Sequence, residues 1–140
     1  MTRLPTLFAL VVLLWLPARS DAKALHVCAT GGSDTVTYAG NSERTPWAAI
    51  GRAVWGSPNR NTPTAAEAAQ AGDVVRVCAG TYVHGGVSTY IDDRAVRYTP
   101  LYNPVNEGTD DKPMVIEGIG TVTLALTSGR GPVIGSLSRN

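Results

Sequence analysis

Two cysteines, each set in the same Val-Cys-Ala tripeptide at 27–29 and 77–79, bracket the middle of this chain. The compartment in which the chain folds decides what they can do. Arg3 precedes an unbroken apolar run from Leu7 to Leu16, followed by Pro17 and the small-residue stretch Ser20-Asp21-Ala22. That is the three-part layout of a secretory signal peptide. The run falls well short of the about 20 apolar residues that a helix needs to cross a bilayer. The chain therefore reads as a leader over 1–22, cut after Ala22, and an exported part over 23–140. Its destination is extracellular or periplasmic, and no membrane span is left after the leader is removed. There Cys28 and Cys78 are free to pair, and a bridge would close a loop of about 50 residues, worth about 4 kcal/mol by chain entropy. Two buried free thiols are the other reading, because sequence gives no Cα separation. No CxxC or HxxxH spacing joins them to His26 or His84, so a structural zinc is not expected.

Composition sets the fold class. Gly and Pro, 15 and 9 of 140 residues, favour many tight turns and short strands over long helices. The 12 basic and 11 acidic residues form no basic stripe, so no nucleic-acid partner is expected. Ala24 to Ala29 reads as a strand, with Leu25 and Val27 on one face and His26 and Cys28 on the other. Thr45-Pro46 opens a helix to Trp55, in which Trp47, Ile50 and Val54 form an apolar stripe and Gly56 closes the end. Thr64 and Glu67 have the spacing of a capping box over a second, Ala-rich helix ending at Gly72. Asp73 to Cys78 is a Val-rich strand that Ala79 to Tyr82 ends. Strand character returns over Met114 to Glu117, breaks at Gly118-Ile119-Gly120, resumes from Thr121 to Leu126 and opens again at Pro132 to Gly135. Between Val83 and Lys112 lies a long polar segment, of the kind that is usually functional or mobile.

Four pieces of this sequence carry a resemblance. They are Leu25 to Ala29 with Gly32-Ser33-Asp34; Thr45-Pro46-Trp47-Ala48-Ala49-Ile50 with Ala53; Ala71-Gly72-Asp73-Val74-Val75 leading to Gly80-Thr81-Tyr82; and Asn106-Glu107-Gly108-Thr109 followed by Lys112 to Ile116. Together they resemble the N-terminal part of secreted right-handed parallel β-helix proteins of the pectate-lyase-like superfamily, over about residues 24–126. The turn-rich stretch from Ser57 to Thr62 departs from that pattern by splitting one helix into two. The resemblance implies a mainly β fold, with N-terminal capping helices and the first rungs of a right-handed parallel β-helix. After Asp73, leaving aside the long segment, the chain supplies fewer than two rungs of about 20 to 25 residues, whereas stacked repeats need about three. The sequence therefore reads as the apparently truncated front of a longer solenoid. A complete small β-rich domain, such as a sandwich stapled by the disulfide, is the alternative.

The resemblance further implies a polysaccharide as partner, through a uronate lyase or a glycoside hydrolase when the protein is full length. A non-catalytic glycan-binding or surface structural β-helix is the rival function. A lyase needs a base and a cation beside the sugar carboxylate, and a hydrolase needs two facing carboxyl groups. Neither set is identifiable, so no catalytic residue is assigned. Binding candidates cluster in the long segment: His84 as a base or hydrogen-bonding group, Arg94 and Arg97 for an acidic sugar, and Tyr90 for stacking on a sugar ring, with Tyr98 and Tyr102 equally suited to pinning the segment. Asp92-Asp93 and Asp110-Asp111 are chemically able to bind calcium, although no EF-hand loop accompanies them. Residues 23–140 alone are expected to release no unsaturated products from uronate polymers. A rise in absorbance from new unsaturated ends during incubation would contradict this.

Overall fold

A computed structural model describes residues 21–84, 89–91, 96–98 and 104–126. The expected leader up to Ser20, Arg94, the Asp92-Asp93 pair, Tyr102 and the expected strand at 132–135 lie outside the described residues. Three parallel strands, β1 (Ala24–Val27), β2 (Val74–His84) and β5 (Val115–Leu126), form one sheet in chain order. A separate antiparallel pair joins β3 (Thr89–Ile91) to β4 (Val96–Tyr98) within the long segment. The chain is mainly strand with a small parallel sheet, which is the coarse form of the expected fold.

Side chains of a strand alternate between faces, and the register aligns the apolar set. Leu25 pairs with Val75 and Val27 with Val77, and all four are buried against Trp47, Ile50, Val54 and Trp55. Ile116 stands opposite Val75 and packs on the same core. The alternation that defined the first strand is therefore realised, and the Val-rich stretch expected from Asp73 to Cys78 forms the first part of β2. Two expectations for the later part of the sheet are corrected. β2 does not stop after Cys78, with Ala79 to Tyr82 ending it, but runs to His84, and β5 continues through the glycines at which a break was expected. At that point Gly120 and Thr121 of β5 face the single Ala79 of β2, so the interruption is a bulge inside a continuous ladder. Gly120 has φ +81°, a conformation that glycine adopts without a Cβ penalty. The irregularity also changes the parity of β2: Val75 and Val77 face the core before it and Tyr82 after it.

The outer edge of β1 is closed by its own downstream chain. Asn41 accepts from the His26 N–H at 2.7 Å and donates to the His26 carbonyl at 2.9 Å. Trp47 adds its N–H to the same carbonyl at 2.9 Å, and its carbonyl accepts from the Cys28 N–H at 2.8 Å. This commitment corrects the expected helix start. Trp47 lies in a parallel bridge with Val27, so the helix α1 covers only Ile50–Trp55. Thr45 caps nothing and donates instead to the Gly40 carbonyl. The N-cap position, Ala49, makes no side-chain cap bond, and Asp34 instead fixes the approach to the helix by accepting from the N–H groups of Ala48 and Ala49 at 2.9 and 3.0 Å. The other end is as expected, with Gly56 at φ +68° donating to the Arg52 carbonyl.

The second expected helix is reduced to a single 3-10 turn, Ala65–Glu67, and the capping box is absent. Glu67 turns away to the Tyr38 N–H at 2.7 Å and to Arg52 at 2.8 Å. Arg52, buried on α1, also reaches the carbonyls of Asp34, Val36 and Glu67, and its guanidinium lies 4.7 Å from the Trp47 ring centroid. The turn preceding β5 docks on α1 and the 3-10 turn, which together with the loop after β1 form the cap over the core, since Asn106 donates to the carbonyls of Ala65 and Ala69 and Val105 donates to that of Val54.

Cys28 and Cys78 are bonded, with Cα atoms 4.9 Å apart, so the bridge staples the end of β1 to β2. Beside it, the Ser33 N–H donates to the Pro46 carbonyl, and Gly32 is wedged between two chains. A Cβ at Gly32 would lie 2.3 Å from both the Cys28 and the Trp47 carbonyl oxygens. The substitution Gly32→Ala is expected to force these backbones apart and to lower stability by about 1–3 kcal/mol. Urea unfolding measures this directly, and a midpoint equal to that of the parent chain would contradict the tight approach.

Candidate functional site

Of the four binding candidates, the structure brings two together. Tyr90 of β3 and Arg97 of β4 are register partners in the antiparallel pair, a pairing that the polar, turn-rich sequence around them does not announce. His84 is the last residue of β2 and stands opposite Leu126 of β5. Arg94 lies outside the described residues. Of the acidic pairs, Asp110 and Asp111 are exposed in a turn closed by reciprocal hydrogen bonds between Thr109 and Lys112. Among the described residues no three His, Cys, Asp or Glu side chains are grouped to hold a metal ion.

A second feature was not found from sequence. His26, Arg76 and Glu117 occupy one line across β1, β2 and β5, on the sheet face opposite the core. Arg76 Nε donates to Glu117 Oε1 at 2.9 Å, with about half of each side chain exposed. Such an ion pair adds about 1 kcal/mol or less to stability, so its effect is to orient the guanidinium rather than to hold the fold. The row is bordered by Val115 and Ile119, which are 39% and 53% exposed. Strand alternation identifies each residue as outward-facing, but only the register places them side by side.

A shallow cavity of about 140 Å³ opens between Ala29, Ala48, Ala49, Ile50 and the Thr81 to Val83 stretch of β2. It is smaller than the about 300 Å³ at which ligand pockets begin. At its floor the Tyr82 hydroxyl donates toward the carbonyls of Val27 and Cys78 and accepts from the Ala29 N–H. Burial pushes its pKa up, partly opposed by the hydrogen bond from Ala29, which keeps it a donor. This hydroxyl closes the corner beyond the end of β1 and is not positioned for chemistry.

Compared with protein-family models, with curated proteins and with solved structures, the chain matches none.

The remaining polar cluster belongs to the cap. The Tyr38 N–H, the largest influence, and the Arg52 guanidinium hold the Glu67 carboxyl below its ordinary value of 4.5 against an opposing desolvation. A carboxylate so stabilised contributes stability that is present above its unfolded pKa and is lost as pH falls through its lower folded value. Glu67→Gln is therefore expected to be less stable than the parent at pH 7, by about 1 kcal/mol given the partial exposure of the group. The gap should close as pH drops below 4.5. Thermal midpoints of both chains across pH 3 to 7 test this, and a gap that stays constant with pH would contradict it.

Proposed function

We propose that this chain is the N-terminal end of an exported, right-handed parallel β-helix protein of the pectate-lyase-like kind, which acts on or binds polysaccharide. One observation carries the reading. Three parallel strands stack in chain order, the first is sealed at its outer edge by Asn41 and Trp47, and the last has no strand on its outer edge among the described residues. A solenoid needs such a closed end, because its terminal rung would otherwise expose both apolar core and unpaired backbone. The Cys28–Cys78 bridge suits an oxidising destination, extracellular or periplasmic.

On this reading, the residues that meet the polymer are Tyr90 and Arg97 of the β3–β4 pair, with His84 and Arg94 from the same segment. Arginine binds a uronate carboxylate by charge-assisted hydrogen bonds, and tyrosine offers a flat apolar face to a sugar ring. The protein recovered from the medium or periplasm should be retarded in gels containing a uronate polymer. Arg97→Ala and Tyr90→Ala should each weaken this retention about tenfold, equivalent to about 1.4 kcal/mol. Retention with release of unsaturated ends supports a lyase and overturns the expectation that residues 23–140 alone are inactive. Retention without cleavage supports a non-catalytic glycan binder. No retention on acidic or neutral polysaccharides overturns the proposal.

A further inference from the structure

The backbone nitrogen of Lys23 donates to Asp73 Oδ1 at 2.9 Å. Asp73 is 0% exposed, and its other oxygen accepts from the Tyr38 hydroxyl and the Gln70 N–H, each at 2.8 Å. All three donors are neutral in the unprocessed chain. Among the described residues the ion pairs are Arg52–Glu67 and Arg76–Glu117, and neither reaches Asp73. The Lys23 side chain does not answer it either, since its ammonium bonds to the carbonyls of Tyr38 and Ala39. A buried carboxylate with no countercharge is costly to keep.

The nitrogen that faces this carboxylate belongs to the residue that becomes the first of the chain when the cut falls behind Ala22. Asp21 and Ala22 are exposed, and the Ala22 Cβ lies over Gly72. We propose that leader removal completes the fold: hydrolysis of the Ala22–Lys23 bond converts the Lys23 amide nitrogen into an α-ammonium that forms a partly buried ion pair with Asp73. Water supplies the hydroxyl of the new Ala22 carboxyl group and a hydrogen to the Lys23 nitrogen. The acid then releases its proton, and the amine takes one up from solvent.

The position of Asp73 gives the pair its reach. Its carbonyl accepts from the Val115 N–H at the head of β5, and the Lys23 carbonyl accepts from the Val74 N–H at the head of β2. The ion pair therefore locks the starts of all three strands, as the disulfide locks the end of β1 to β2. Both links join residues separated by 50 positions.

The inference rests on the export reading and not on the polysaccharide one. The first measurement is the intact mass of the exported product of the full chain: a start at Lys23 is expected, and any other start overturns the maturation step. The second compares chains made to begin at Lys23 or at Ala22 by exact proteolysis of a fusion. With the first, the α-amine should titrate at least about one unit above its ordinary 7.7–8.0, and the thermal midpoint should be higher than with the second. The groups facing this amine are Asp73, the Tyr38 hydroxyl and the ammonium of Lys23 itself, with Lys112 across Gly72 and Glu67 behind Tyr38. A raised amine pKa stabilises fully below its unfolded value, and the advantage should fade as pH rises through the folded one. Asp73→Asn should abolish both differences; if that variant does not fold, the comparison of the two starts still decides. An ordinary amine pKa with equal midpoints overturns the ion pair even when the cut is at Lys23, which separates its failure from that of the export reading.

Discussion

Parallel pairing of β1 with β2 joins residues fifty positions apart, and a parallel ladder cannot be closed by a tight turn. The chain between the two strands has to travel back to the starting end of the sheet, and in doing so it provides the cap. Its first stretch closes the outer edge of β1 through Asn41 and Trp47. Its middle supplies α1, whose six residues are too few to be stable alone and are all buried. Its last stretch delivers Gln70 and Asp73 to the head of β2. The entropy lost in closing so long a loop is offset by making the loop itself part of the core.

The cap is held by charge as much as by apolar contact. Arg52 lies in the interior because its guanidinium is answered by carbonyls, by the Glu67 carboxylate and by the Trp47 ring. Glu67 and Asp73 are connected through Tyr38, which offers its N–H to one and its hydroxyl to the other. One tyrosine therefore couples the 3-10 turn, the loop after β1 and the start of β2. Buried ionic groups of this kind fix one arrangement of the segments among the several that apolar contact alone would permit.

Local pattern was sufficient where the deciding partner was local. Leu25 and Val27, and Val75 and Val77, alternate as half-buried strands do, and Gly56 ends α1 because a left-handed residue was required just beyond the apolar stripe. The failures have a common cause, which is a distant partner displacing a near one. Pro46 looked like a first helical residue, but Trp47 was taken by β1. Thr64 and Glu67 had capping spacing, but Arg52 and Tyr38 claimed the carboxylate. Gly80 and Gly118 to Gly120 looked like strand ends, but each strand was continued by the ladder of the other. The site was less legible than the fold. The partnership of Tyr90 with Arg97 and the row of His26, Arg76 and Glu117 both depend on register, which no single strand contains.

The sealed outer edge of β1 gives the sheet a direction. Backbone groups that are already occupied cannot recruit another strand, so of the three described strands only β5 keeps an outer edge open to pairing. Synthesis runs in the same order, and the finished side is the one that leaves the ribosome first. A nascent sheet of these three strands meets solvent and other nascent chains with one reactive border instead of two exposed flanks.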